Sequence, residues 1–206
     1  MSRFWFPILA VAAALVSAAG CTGSKSTPAG TATVAPTPTV TLRAPGTGVV
    51  PVLTVTSGAF ATGTLMPPAE AQIGCGGTNL SPDLAWTAGP AATKSYVVTE
   101  FDPDAPTGSG FWHWVWFNIP PTTTSILGGA GTAPPSGTSG LNDYGSLGYG
   151  GPCPPVGDGA HHYHFTISAL DTVLTGMPAN TTGAYLTFNM GGHIIAQGTY
   201  IGLFAR

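Results

Sequence analysis

Beyond residue 48, apolar and polar positions recur with strand-like periods over much of the chain. Pro51 to Phe60 (PVLTVTSGAF) alternates as an edge strand does. Ser95 to Phe101 (SYVVTEF) is rich in β-branched and aromatic residues, which favour extended backbone. Phe111 to Ile119 (FWHWVWFNI) is apolar on both faces and predicts a strand buried between two layers, with Trp112, Trp114 and Trp116 on one core side. His162 to Leu170 alternates. It puts His161, Tyr163, Phe165, Ile167 and Ala169 on the core face and His162, His164, Thr166 and Ser168 on the other. Gly198 to Phe204 predicts a closing strand. A helix is expected after Asn180 and Thr181, its candidate caps, from the spacing of Leu186, Met190 and Ile194. Gly191 and Gly192 weaken it. Met66 to Trp86 reads as loop-rich, and Thr122 to Gly151 holds too much Gly, Ser and Pro for regular structure. The expected class is mainly β with one or two short helices, the clearest near the C-terminus.

The N-terminal segment is patterned differently. Met1 to Arg3 give a short positive start, and Phe4 to Ala19 form a 16-residue uncharged run, short for a membrane span and suited to a signal peptide. It ends in Ser17-Ala18-Ala19-Gly20-Cys21, which resembles the lipobox of bacterial lipoproteins, where the cysteine is lipidated and becomes the first residue. Ala18 departs from the large aliphatic residue usual at its position. An ordinary secretory signal, cut after Ala19 or Gly20, would instead leave Cys21 free. Residues 21–48 are nearly all Thr, Pro, Ala, Gly, Ser and Val, a composition that buries too little apolar surface to offset the entropy of ordering. The expected organisation is a signal peptide (1–20), a disordered and extended tether (21–48) and one domain (49–206), lipid-anchored on the extracytoplasmic side of a bacterial membrane.

Composition adds three constraints. Hydrophobic residues make up 43% of the chain, enough for a sizeable core once the tether is set aside. With Cys21 assigned to lipid, Cys75 and Cys153 remain as an even pair in an oxidising compartment, both in Gly-rich loops. A disulfide between them would contribute on the order of 4 kcal/mol by the chain-entropy model; two reduced buried thiols are the alternative. Beyond residue 48 stand eight acids and two bases, Lys94 and Arg206, so the domain has a formal charge of −6 with histidines neutral. A nucleic-acid partner needs a basic face to displace counterions, and this excludes one.

Polar residues gather at the ends of the apolar strands in three segments. Asp102-Pro103-Asp104-Ala105-Pro106 follows SYVVTEF, Trp112-His113-Trp114 places an imidazole between indoles, and Gly150 to Tyr163 is a Gly/Pro loop running into a strand. DPDAP, then HW in a strand ending in Asn118, then GPxPP leading to HxY is the motif order of the phosphatidylethanolamine-binding protein family, which this domain resembles. SPDLAW (Ser81 to Trp86), TKSY (Thr93 to Tyr96), PTGSGFWHW (Pro106 to Trp114) and NDYG (Asn142 to Gly145) resemble its bacterial, Raf-kinase-inhibitor-like branch. The likeness runs from about Phe60 to Arg206. It implies a sandwich of antiparallel sheets with small helices, and an anion pocket at Asp102, Asp104, Pro106, His113, His161 and Tyr163. Tyr149, Gly151, Pro154 and Pro155 would form its rim. His162 stands where the family often has Arg, which removes a positive charge from the mouth.

A pocket for phosphate or carboxylate usually relies on Arg or Lys, which this domain nearly lacks. Its donors must be imidazole N–H groups, a tyrosine hydroxyl and backbone N–H groups. A carboxylate beside the histidines favours their charged forms and repels a bare dianion. That predicts a monoanionic, protonated or zwitterionic ligand, bound more tightly as pH falls. Taken singly, His113 would read as a core histidine, Asp102 and Asp104 as turn formers beside prolines, and His162, His164 and His193 as surface or structural residues. The expected function is a non-catalytic binding module for a small anionic or phospholipid-type head group, with no cofactor, metal or catalytic residue. Two alternatives stand beside it. Asp102 with two histidines has the residue types of a metal site or of acid–base hydrolysis, though no activated nucleophile accompanies them. Some relatives inhibit a partner protein, here an extracytoplasmic one.

Overall fold

The computed structural model describes residues 50–206. The expected signal peptide, lipidated Cys21 and tether lie outside the described residues. Ten regular elements follow one another: β1 (Val55–Thr56), β2 (Thr64–Leu65), β3 (Leu84–Trp86), β4 (Ser95–Asp102), β5 (Phe111–Ile119), β6 (Ser125–Ile126), β7 (Thr138–Ser139), β8 (His161–Leu170), α1 (Gly183–Asn189) and β9 (Ile194–Phe204). They build a six-stranded sheet, ordered β2-β9-β8-β4-β5-β7, and a three-stranded sheet, ordered β1-β3-β6. All pairings are antiparallel except β2 with β9. Among the described residues no helix is long and apolar enough to cross a membrane.

The two faces of the large sheet serve different cores. On one face Tyr96, Val98, Trp114, Trp116, Phe165 and Ile167 meet Leu53, Val55, Leu84, Trp86 and Ile126 from the small sheet and its flanks, which makes the sandwich. On the other, Val97, Val115, Phe117 and Leu170 pack with Leu186 and Met190 of α1. A strand with apolar residues on both sides, as in FWHWVWFNI, is what such a middle layer requires. In β8 the odd-numbered residues from His161 to Ala169 are buried, as its alternation predicts.

Strand β5 departs from simple alternation at two bulges. Opposite β4, Glu100 pairs with Trp114 but Phe101 with Trp112, so His113 is an extra residue without a partner. Further on, Phe117 and Asn118 together stand opposite Val97, with Asn118 at φ 55° and its amide exchanging two 2.9 Å hydrogen bonds with the Leu174 backbone. The first bulge reverses the facing of what precedes it. Trp114 and Trp116 lie in the sandwich core as expected, but Trp112 packs on the opposite side against the α1 layer.

Three further expectations need correction. Residues 122–151 do contain regular structure: β6, β7 and a 3-10 turn at Ala130–Thr132, each only two or three residues long. The helix is capped by Thr182, whose Oγ1 accepts from the Tyr185 N–H at 3.3 Å, rather than by Asn180 or Thr181. It is also shorter than its apolar spacing suggests. Leu186 and Met190 face the core, but Gly192 turns into the left-handed region at φ 83°, and Ile194 opens β9. Cys75 and Cys153 form a disulfide with Cα atoms 5.5 Å apart, tying the 3-10 turn Ile73–Cys75 to the Gly/Pro loop.

Candidate functional site

A cavity of about 180 Å³ opens where β4 ends and β5 and β8 begin. Asp102 and Ala105 to Thr107 supply one wall, Phe111 and His113 a second, and Cys153 to Pro155 a third, with Tyr144 and His161 completing it.

Asp102 organises one side. It is buried, and its Oδ1 accepts the Asp104 and Ala105 backbone N–H groups at 2.8 and 3.1 Å, the Asx-turn geometry that DPDAP favours. Its Oδ2 accepts from His161 Nδ1 at 2.8 Å. Burial alone would push the His161 imidazole down, but the hydrogen bond and charge of Asp102, helped by Asp158 and Asp104, outweigh it and raise it above the usual histidine range. His161 is therefore biased towards a cation with Nδ1 fixed on Asp102.

His113 is set the other way. The bulge aims it out of register, and Gly150 clamps it. The Gly150 N–H donates to the His113 carbonyl at 2.8 Å, while His113 Nδ1 donates to the Gly150 carbonyl at 2.7 Å. A carbonyl accepts only, so Nδ1 carries the proton. Burial lowers the imidazole below its ordinary range despite the Gly150 bond and the charge of Asp102, so it is neutral and Nε2 is a bare acceptor.

Other predicted positions lie around the cavity rather than on it. Asp104 is exposed, and its Oδ2 accepts the His162 N–H and Nδ1–H at 2.8 and 2.7 Å, bracing the DPDAP turn against β8. Burial opposes its ionisation, but the His162 bonds win and hold it below the usual carboxylate range. Tyr163 lies beneath the floor, with its ring edge against His113 at a centroid distance of 5.1 Å. Its hydroxyl is buried near the Cys153 backbone without a well-formed hydrogen bond, and burial, then the charges of Asp102 and Glu100, keep it protonated. Tyr149 is not at the rim. It is 2% exposed, stands edge-on to Trp114, and donates its hydroxyl to the Glu70 carbonyl at 2.9 Å, because the preceding turn points it into the sandwich. Gly151 backs the wall. A Cβ there would stand 1.9 Å from the Glu70 carbonyl oxygen, so only glycine allows the strands of loop to touch.

The rim tyrosine is instead Tyr144, whose hydroxyl donates to the Gly151 carbonyl at 3.0 Å and whose ring packs on Phe111 and His113. It belongs to the NDYG motif, which was the available signal. Asn79 was not anticipated. Its amide accepts the Gly151 N–H at 2.7 Å and donates to the Tyr149 carbonyl at 3.0 Å, fixing the loop that holds His113. Behind the floor, Glu100 is buried with neither carboxyl oxygen hydrogen-bonded. Burial, then the charges of Glu70 and Asp102, raise it well above the carboxylate range; burial and Asp83 push Glu70 up to about 8. Asp102 sits with its own turn and His161 and not beside a free histidine. Among the described residues no group of three His, Cys, Asp or Glu side chains is placed to hold a metal ion.

The family model for phosphatidylethanolamine-binding proteins matches residues 56–205. The UPF0098 protein YbcL of Escherichia coli strain K12 is 44% identical over 149 residues, covering 69% of this chain and 81% of that protein. Its crystal structure, described as a new member of the mammalian PEBP family, superposes with a TM-score of 0.71 at 40% identity, covering 75% of this chain and 98% of that one. A Mycobacterium tuberculosis relative named as lipoprotein LppC is 36% identical over 152 residues, covering 74% of this chain and 72% of that protein.

Proposed function

The chain belongs to the phosphatidylethanolamine-binding protein family, and we propose that its domain is a non-catalytic binding module for a small anionic or phospholipid-type head group. Asp102, Pro106, His113, Tyr144, Pro154, Pro155 and His161 form its contact surface. One observation carries this reading: two imidazoles of opposite hydrogen-bonding character share one cavity. His161, biased towards the cation by Asp102, offers an N–H, and neutral His113 offers a lone pair. The ligand must therefore bring both an acceptor and a donor. A phosphate monoanion does so with P–O⁻ and P–OH, and an ethanolamine head group with its phosphate oxygen and its ammonium. A bare dianion meets Asp102 and the His113 lone pair and is disfavoured. Asp104, Tyr163, Tyr149 and Gly151 act by supporting the walls.

We further propose that the domain is held at the outer face of the membrane through Cys21, a reading supported by the lipobox-like SAAGC and by the lipoprotein relative. Palmitate labelling that Cys21→Ser leaves unchanged would overturn the anchor. For the pocket, the full-length protein in detergent is titrated with inorganic phosphate and with glycerophosphoethanolamine while the imidazole resonances are followed. Shifts at His113 and His161, with affinity increasing as pH falls from 8 to 6 (about tenfold per unit where one proton is taken up), are expected. Resonances that stay still at both histidines refute the assignment.

A further inference from the structure

A second carboxylate reaches His161 from the side opposite Asp102. Asp158 Oδ2 lies 3.5 Å from His161 Nε2, the ring nitrogen that Asp102 leaves free. Local backbone holds it there. Pro155 to Asp158 form a turn closed by the Asp158 N–H donating to the Pro155 carbonyl at 3.3 Å, and Gly157, at φ 90°, takes the position that requires a left-handed residue. The Gly157 N–H donates to the Arg206 carbonyl at 3.1 Å, and Arg206 Nε donates back to the Pro154 carbonyl at 2.8 Å. The turn is thus fastened to the same Pro154-Pro155 wall that bounds the cavity.

The two nearby acids are not equivalent. Asp104 is tied by two short bonds to His162. Asp158 has a side chain 44% exposed and only the long His161 contact. It can change partner at little cost.

We infer that Asp158 is the selectivity element of this pocket, and that it favours zwitterionic phosphate–ammonium head groups over simple anions. An anion takes the His161 Nε2–H only by displacing the carboxylate already lying against it. A simple anion leaves that carboxylate unpaired and adds repulsion; a ligand with its own ammonium gives it a new partner. This rests on the reading that His161 receives the ligand anion. Affinities for inorganic phosphate and for glycerophosphoethanolamine are compared at one pH in the full-length wild type, Asp158→Asn and Asp158→Ser. The wild type should prefer glycerophosphoethanolamine. Both variants should bind phosphate about fivefold more tightly and bring the ratio of the two affinities close to one. A ratio unchanged in both variants overturns the inference while leaving the pocket standing, provided His113 and His161 still respond to the probes. Imidazoles that respond to neither probe in the wild type overturn the pocket itself, and this inference with it.

Discussion

His161 and His113 bring the same side chain to one cavity, and their neighbours shift their protonation in opposite directions. A carboxylate holds one, and a carbonyl in a buried wall holds the other. Because His161 is raised in the fold, the stability that it contributes is full below the unfolded value near 6.5 and is lost as pH rises through the folded value. Asp102→Asn removes the charge and should bring the His161 titration, followed by its imidazole resonances, down below its wild-type midpoint. The loss of stability should then be greatest at acid pH and on the order of 1–3 kcal/mol. An unmoved His161 midpoint would contradict the pairing. At this scale much was legible in the sequence. The alternation in HYHFTISAL put His161 and Tyr163 on the buried face, and DPDAP announced a turn. The rim falls to Tyr144 and not to the expected Tyr149, because two tyrosines five residues apart in a glycine-rich stretch have no periodicity to say which one faces the core. Packing against Trp114 decides for Tyr149.

The long central strands came through, but the alternation of Pro51 to Phe60 yields only the two-residue β1, because its one ladder is the short antiparallel pairing with β3. Strand β5 runs from Phe111 to Ile119 as its apolar content predicts, and β4 and β8 each differ from the predicted strand by one terminal residue. What the pattern could not disclose is the bulge at His113, since a period-two reading has no place for a residue without a partner. That bulge frees His113 from the ladder and lets it face the cavity between a core tryptophan on one side of the sheet and Trp112 on the other. The short strands β6 and β7 were missed because two-residue pairings are imposed by their neighbours, β3 and β5, and carry almost no local propensity. The end of α1 was misplaced because Ile194 continues a helical spacing that the backbone abandons at Gly192.

For the molecule as a whole, the buried acids set the response to pH. Glu70, at about 8 in the fold against 4.5 in its free state, holds a proton that the unfolded chain releases, and Glu100 is shifted in the same direction. Both carboxyls thus favour a stability that falls as pH rises. Below about 6.5 the depressed His113 and His164 oppose this trend; above it they are neutral in both states, so stability should fall as pH rises from about 6.5 to 8. His161 adds to the same trend. Urea midpoints across this range test it: Glu100→Gln should stabilise the protein above pH 7 by on the order of 1–3 kcal/mol and flatten the profile, whereas a wild-type profile flat to begin with would contradict it. The sheet order has a consequence of another kind. β9 lies between β2 and β8, and Thr64 pairs with Gly202 and His161 with Phe204. During synthesis the sheet therefore keeps an open slot until β9 leaves the ribosome, and the β2–β9 pairing that closes it spans most of the domain, which slows folding. Until β9 is in place, β2 has no position in the large sheet.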